Sequence, residues 1–181
     1  MTPILHRLIL STLPLLLWLT SFAQDKPLSF HTSKGLTVKV DTRGIYINNK
    51  KVHWFDTDEL IPDSRRNKLI EDGGTAFLFL EMSDAPNLNK LYGFRISANR
   101  ADSVVYTNTS DIVDMDGDGY LEFGGADLTE VYSSEDSMYY IPTEYYEIRN
   151  GRIHFDTTLT RDRDIWINGI YLAHPADANG N

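Results

Sequence analysis

Three aspartates stand at alternate positions near the middle of the chain, and a fourth acid follows in the same segment. The segment runs from Asp114 to Glu122, and Asp116 and Asp118 are each followed by a glycine. Side chains at alternate positions of a tightly wound loop converge on one point, where Ca²⁺ takes roughly six to eight oxygen ligands at about 2.3–2.6 Å. Four crowded acids would repel one another without a cation. The spacing therefore predicts a calcium-binding loop.

A glycine and its neighbour complete the predicted shell. Gly119 permits a sharp turn, because glycine adopts backbone conformations closed to other residues, and this turn brings the Tyr120 carbonyl towards the cation. The loop is neither an EF-hand nor dockerin-like, because both need an acid at position 12, which is Gly125 here. Its flanks are typical of strands, whereas an EF-hand needs helices. The alternative interpretation is an acidic turn that only solvates a surface loop.

The segment 111–125 resembles the calcium loops of FG-GAP/VCBS-type β repeats. In those repeats a D-x-D-G-D-G-x-x-D segment runs into an apolar residue and a glycine; here Glu122 stands at the ninth position and Phe123 and Gly124 follow. The family usually has several repeats arranged as propeller blades, whereas this chain has one motif, so we do not expect a full propeller. The resemblance implies that the ligands are the Tyr120 carbonyl and the side chains of Asp114, Asp116, Asp118 and Glu122. Because all of these groups lie in one short segment, we expect a structural rather than a catalytic cation.

The overall charge and the lack of cysteine exclude several classes of function. The chain has 181 residues and a formal net charge of −9, and the window 101–148 holds 12 of its 26 acids and no Lys or Arg. Nucleic acids and anionic membrane surfaces attract positive charge, so neither is expected as a partner. With no cysteine, disulfides, thiolate-bound zinc, iron–sulfur clusters and thiol catalysis are excluded.

No catalytic or cofactor-binding residue is predicted besides the calcium ligands. The sequence contains no H-E-x-x-H, G-x-S-x-G or P-loop pattern. We therefore favour a non-enzymatic, calcium-stabilised module that binds a protein or a glycan, with an inhibitor-type protein as one version. The alternative is a small exported hydrolase whose carboxylates are brought together only by folding, because a glycosidase needs only two suitably placed acids.

Residues 1–23 are typical of a cleaved signal peptide. Arg7 precedes an apolar run over 8–19, and Ser21 and Ala23 supply small residues before Gln24. The run is shorter than the ~20 residues of a membrane span. We expect cleavage between Ala23 and Gln24, no membrane span afterwards, and a secreted or periplasmic protein. The mature chain, 24–181, is expected to form one domain with a frayed tail over about 173–181.

Short β-rich runs separated by turn residues predict an all-β fold: a single-domain antiparallel sandwich or curved sheet, with the calcium loop between strands. Two Asn-Gly pairs, at 150–151 and 168–169, predict two hairpins with type I′ turns. Helix signals are limited to 63–69 and 128–134. The predicted strands are 36–40, 44–47, 52–55, 75–81, 91–97, 103–107, 145–149, 152–155, 165–167 and 170–172.

The aromatic residues are interpreted mainly as packing groups. Trp54 and Trp166 lie in apolar runs and are predicted to be buried. The tyrosine pairs at 139–140 and 145–146 are predicted to stabilise sheets, since Tyr favours strands, with a sugar- or peptide-binding face as the alternative. The alternating charges of 161–164 are typical of a solvated edge or loop.

Overall fold

A computed structural model describes residues 27–55, 59–85, 88–126 and 140–172. The predicted signal peptide, the helix at 128–134 and the frayed tail lie outside these residues, as does Tyr139. The described part forms eleven strands and one helix: β1 (Leu28–His31), β2 (Thr37–Asp41), β3 (Gly44–Ile47), β4 (Lys50–Trp54), β5 (Lys68–Asp72), β6 (Thr75–Met82), β7 (Lys90–Ser97), β8 (Arg100–Asn108), β9 (Leu121–Ala126), β10 (Thr143–Arg149), β11 (Arg152–Phe155) and α1 (Thr157–Asn168).

The strands form three sheets, and every strand pair is antiparallel. Sheet A has the order β1-β2-β3-β4, sheet B the order β5-β6-β7-β8, and sheet C the order β11-β10-β9. Within each sheet, strands that follow one another along the chain are therefore neighbours. The predicted all-β, antiparallel fold is confirmed.

The central strand β6 explains how the three sheets stack. Its side chains alternate between two cores: Leu78 and Leu80 pack in the core shared with sheet A, and Phe77 and Phe79 in the core shared with sheet C. Successive strand residues point to opposite faces, so an unbroken apolar run indicates a strand covered on both sides. Sheet B is thus the middle layer, and the predicted calcium loop adjoins the layer formed with sheet C.

The first Asn-Gly pair forms the predicted hairpin. Asn150 and Gly151 both have positive φ, 53° and 73°, as a type I′ turn requires. The flanking strands pair with Arg149 opposite Arg152. Gly151 also donates its N–H to the Asp72 carboxylate, which ties this turn to the β5–β6 turn of sheet B.

The second predicted hairpin is wrong, because Asn168-Gly169 ends helix α1 instead of joining two strands. The helix begins where Asp156 caps it by accepting the N–H of Leu159 at 2.8 Å. It ends where left-handed Gly169 donates its N–H to the Ile165 carbonyl at 2.9 Å. The segment 161–164, predicted as an edge or loop, is helical, and Asp164 is buried.

Buried Asp164 fastens α1 to the start of β10. Its carboxylate accepts the Thr143 N–H at 2.9 Å, the Thr143 hydroxyl at 2.6 Å and the Tyr140 hydroxyl. Burial and this carboxylate raise the pKa of Tyr140 to about 12, so the tyrosine stays a donor.

Within the described part of the chain, no helix has the length and apolar character needed to cross a membrane.

Three further local predictions differ from the structure. The segment 63–69, predicted to be helical, forms turns that lead into β5, because the Asn67 side chain donates to the Ile61 and Pro62 carbonyls and accepts the Glu81 N–H. The tryptophans predicted to be buried are exposed, Trp54 to 64% and Trp166 to 79%. Tyr146, by contrast, packs against Phe123, with the ring centroids 5.7 Å apart.

Candidate metal centre

The acidic segment forms a closed loop between β8 and β9. A β-bridge joins Val113 to Glu122 through two reciprocal backbone hydrogen bonds of 3.1 and 2.9 Å. The residues between them must therefore leave the sheet and return to the same point. The predicted strands on both sides of the loop are confirmed, with Asn108 ending β8 and Leu121 beginning β9.

Aspartate side chains and glycines wind this loop. The Asp114 carboxylate accepts the N–H groups of Gly117 and Gly119, at 2.7 and 3.1 Å. Asp116 and Asp118 each accept the N–H two residues ahead, at 3.1 and 2.9 Å. Gly117 and Gly119 have φ of 84° and 93°, which residues with a Cβ rarely adopt. The alternation of aspartate and glycine thus turns the carboxylates inward.

The loop brings together the four predicted side-chain ligands. One carboxylate oxygen from each of Asp114, Asp116, Asp118 and Glu122 lies within 4.8 Å of the others. The three aspartates are exposed, whereas Glu122 is only 1% exposed. Separation on this scale suits a shared cation, because oxygens that each lie about 2.3–2.6 Å from one ion are at most about twice that distance apart.

Glu122 is the residue that distinguishes this cluster from a solvated acidic turn. Its Oε2 accepts the Met115 N–H at 2.6 Å, while its Oε1 is buried and has no hydrogen-bond partner among the residues that the structure describes. Burial raises the pKa of the Glu122 carboxyl, and the charges of the three aspartates raise it further against the Met115 hydrogen bond. A buried carboxylate oxygen without a partner is unfavourable, and a cation at the cluster would supply one.

Sheet C supports the loop from a separate part of the chain. Glu147 on β10 lies directly opposite Glu122, and burial raises its pKa, with Asp118 adding to the effect and Arg149 opposing it. The Arg149 guanidinium carbon lies 4.5 Å from the centre of the Tyr120 ring, and its Nη1 lies 3.7 Å from Glu147 Oε1. Arg149 therefore links Tyr120, whose carbonyl is a predicted ligand, to strand β10 beside Glu122. The Tyr120 carbonyl as a ligand stays a prediction.

Ser110 and Asp111, just before the loop, are held by contacts that the spacing of the acids did not indicate. Asp111 lies within the segment that resembles a calcium loop, but its carboxylate pairs with Arg65 at 2.7 Å and with Arg66 at 3.3 Å. The hydroxyl of Ser110 accepts the Gly124 N–H at 2.9 Å. Arg65 and Arg66 lie far from Asp111 in sequence, and the partner of Ser110 is a backbone group. No local sequence pattern therefore predicts these contacts.

The glycine at position 124 has a specific packing role. Its φ is +125°, and a Cβ added there would lie 2.0 Å from the Glu144 carbonyl oxygen. The chain therefore needs glycine where β9 crosses β10, two residues after Glu122. Gly125 has open space around its Cα. The apolar-glycine ending of the motif thus sets the path of the strand that carries Glu122, the buried member of the acidic cluster.

The chain matches no protein-family model, no curated protein and no solved structure. Membership of the loop in the FG-GAP/VCBS group therefore stays a prediction, and any function must be inferred from the chemistry of the loop and of the surfaces around it.

Proposed function

We propose that the chain is an exported, non-enzymatic β module that binds Ca²⁺ at residues 114–122 and presents its rigid sheets to a partner protein or glycan. The calcium is structural: it closes the loop between β8 and β9 against sheet C. The loop belongs to the same layer as the core around Phe123, so ordering the loop stabilises that layer.

The unpartnered Oε1 of buried Glu122 carries this proposal. A surface turn that merely solvates its acids has no reason to bury one carboxylate among three others, since burial and like charge both oppose ionisation. A bound cation reverses both effects. It neutralises part of the local charge and gives the oxygen a partner.

Calcium is the cation that the donor set favours. All four side-chain donors are carboxylates, which are hard oxygen ligands typical of Ca²⁺ and Mg²⁺ rather than of zinc or copper. All four come from one short segment of the chain, and Ca²⁺ accepts irregular geometry with several carboxylates. Mg²⁺ demands near-octahedral geometry and keeps more of its water.

Thermal unfolding of the mature chain with and without calcium tests the proposal. Because a ligand that binds only the native state stabilises it, calcium at about a hundred times its Kd should add ~2.7 kcal/mol. That corresponds to a rise in Tm of about 5–10 °C for a chain of this size. Chelator should reverse the rise. An identical Tm in calcium and in chelator would contradict the proposal.

A double variant and a matched control localise the effect. D116N with D118N should abolish the calcium-dependent rise while leaving the far-ultraviolet circular dichroism unchanged. Asp162→Asn removes a charge from an exposed position on α1, where Asp162 pairs with Arg161, and should keep the full rise. Magnesium at the same concentration should give a smaller rise than calcium.

A further inference from the structure

A second candidate site lies at the margin of the core between sheets A and B, built from residues outside the calcium loop. It is a cleft of about 300 Å³ next to the end of β4. This size is at the lower end of the range typical of ligand sites. The side chains that give the cleft its character are His53, Trp54, Phe55, Glu59, Tyr92 and Phe94.

The aromatic walls of the cleft hold one another in place. The His53 ring lies 4.9 Å from the Phe94 ring in an edge-to-face arrangement, and the Phe55 ring lies 6.4 Å from it. Tyr92 is held edge-to-face by Tyr106 at 4.8 Å. Such pairs are the favoured arrangements of aromatic rings. The cleft is therefore a preformed surface, which lowers the entropic cost of binding.

Two large aromatic side chains at this margin remain exposed. Trp54 is 64% exposed and Tyr106 is 49% exposed, although both belong to strands that contribute to the fold. Exposed Trp and Tyr beside a concave surface are typical of binding hot spots. On the side of sheet A, the Lys51 ammonium already lies 5.7 Å from the Trp54 ring centre, so this indole interacts with a cation.

The acidic group in the cleft determines which ligand fits. Glu59 lies among the aromatic side chains that line the cavity. The pKa of Tyr92 is raised by burial and then by the negative charges of Glu59 and Asp84, which agrees with a negative potential at this wall. Aromatic faces are also electron-rich. A flat cation that can stack on rings and pair with a carboxylate matches this combination.

We propose that the cleft binds an arginine side chain of a partner polypeptide. This proposal rests on the proposed binding function and names the surface and the chemistry of the partner. A guanidinium is planar, stacks on aromatic faces and binds a carboxylate through two parallel hydrogen bonds. A neutral sugar would use the rings and the carboxylate as an acceptor but not the negative potential.

A fluorescence titration of Trp54 tests the proposal. The mature chain with Trp166→Phe keeps Trp54 as its reporter, and this substitution affects an exposed side chain. The probes are a blocked Gly-Gly-Arg-Gly-Gly peptide, the same peptide with uncharged citrulline, free arginine amide and a chitin tetrasaccharide. The arginine peptide should give a saturable change and bind tighter than free arginine amide. The citrulline peptide should bind about 3- to 30-fold more weakly, the range expected for a cation over aromatic rings.

Two variants separate the effect of the Glu59 charge from the effect of the net charge of the whole protein. Glu59→Gln keeps the size of the side chain and should weaken the arginine peptide at least as much as citrulline does. Asp162→Asn makes the same change in net charge far from the cleft and should leave the affinity unchanged. Equal binding of the two peptides, an affinity unchanged by Glu59→Gln, no binding of the arginine peptide, or binding of the tetrasaccharide alone would each overturn the proposal.

The same samples distinguish the two proposals. Each variant is also unfolded thermally with calcium and with chelator. If calcium still raises the Tm but the arginine peptide does not bind, only the assignment of the cleft is refuted. Arginine binding that survives with no calcium-dependent rise refutes only the calcium site, because no member of the acidic cluster lines the cleft.

Discussion

Two buried glutamates, Glu81 on β6 and Glu122 on β9, meet opposite environments in the same fold. Glu81 is 4% exposed and Glu122 is 1% exposed. The Glu81 carboxylate accepts bonds from the Ser64 hydroxyl, from Arg66 at 3.2 Å and from the Asn89 amide at 3.0 Å. Within the described ranges, the Glu122 carboxylate accepts one hydrogen bond, from the Met115 N–H, and leaves its other oxygen unpartnered.

The difference separates a buried carboxylate that the protein itself stabilises from one that it leaves poorly compensated. Burial opposes ionisation of Glu81, but the bonds from Ser64, Asn89 and Arg66 outweigh it and hold its pKa below the ordinary value. At Glu122 burial and neighbouring acids prevail, and the pKa is raised. The loop with three aspartates supplies negative charge where the region around Glu81 supplies a cation. We therefore expect the two regions to respond differently to calcium, acid and substitution.

The largest effect on stability is expected from Gly124→Ala, which disturbs β9 near Glu122 and not the surroundings of Glu81. The alanine Cβ would collide with the Glu144 carbonyl at a backbone φ of +125°, so β9 must shift or strain. We expect a loss of about 3 kcal/mol or more and a weaker calcium response. Gly125→Ala is the matched control, since its Cβ meets open space, and chemical denaturation of both variants would check the difference. Equal losses would argue against the packing role.

The two glutamine variants test the comparison directly. Glu122→Gln removes a buried charge that lies beside three acids but keeps an acceptor for the Met115 N–H. In chelator it should therefore stabilise the protein by about 1–3 kcal/mol and abolish the stabilisation by calcium. Glu81→Gln removes charge-assisted bonds and should destabilise the protein by about 1–3 kcal/mol in both conditions. Urea unfolding with calcium and with chelator measures all four values, and destabilisation by Glu122→Gln in chelator would contradict the interpretation.

Acid should also act oppositely on the two sites. The stabilisation due to ionised Glu81 is present above its ordinary pKa of 4.5 and is lost as the pH falls through its lower folded value. The cost of ionised Glu122 is complete above its raised folded pKa and is relieved as the pH falls through that value towards 4.5. In chelator, the difference in stability between wild type and Glu122→Gln should therefore narrow as the pH falls towards 4.5. The difference between wild type and Glu81→Gln should stay constant until the pH falls below 4.5.

The candidate metal centre could be predicted from sequence because its information is local. The four acids and two glycines occupy nine consecutive positions, and the same spacing winds the loop in the structure. What makes Glu122 different is not local. Glu122 lies in β9 directly opposite Glu147 of β10, a strand from a separate part of the chain, and no spacing of acids reveals that pairing. The partners of Glu81 are likewise spread from Ser64 to Asn89.

The two Asn-Gly pairs show the same limit for the fold. Both glycines adopt positive φ, but only at 150–151 does the asparagine adopt it too, so the type I′ prediction is correct at 150–151 and wrong at 168–169. The outcome differs because Asp156 caps a helix and Asp164 binds Thr143 across 21 positions. The β-branched residues around Trp166 favour a strand locally, and these tertiary contacts override that preference. The exposure of Trp54 also depends on tertiary structure, because Trp54 is the last residue of β4, an edge strand of sheet A.

The smallest effect is expected at Arg149, where sheet C meets the loop. Arg149→Lys keeps the positive charge near Glu147 but loses the flat group over the Tyr120 ring. It should raise the Kd for calcium about 2- to 5-fold, because a cation stacked on an aromatic ring at an exposed site contributes ~0.5–1 kcal/mol. Calorimetric titration of calcium measures this constant. Arg149→Ala loses the same stacking and also a positive charge that repels Ca²⁺, so it should bind calcium more tightly than the lysine variant. A lysine variant that binds calcium as tightly as wild type would show that the loop holds its shape without the stacking on Tyr120.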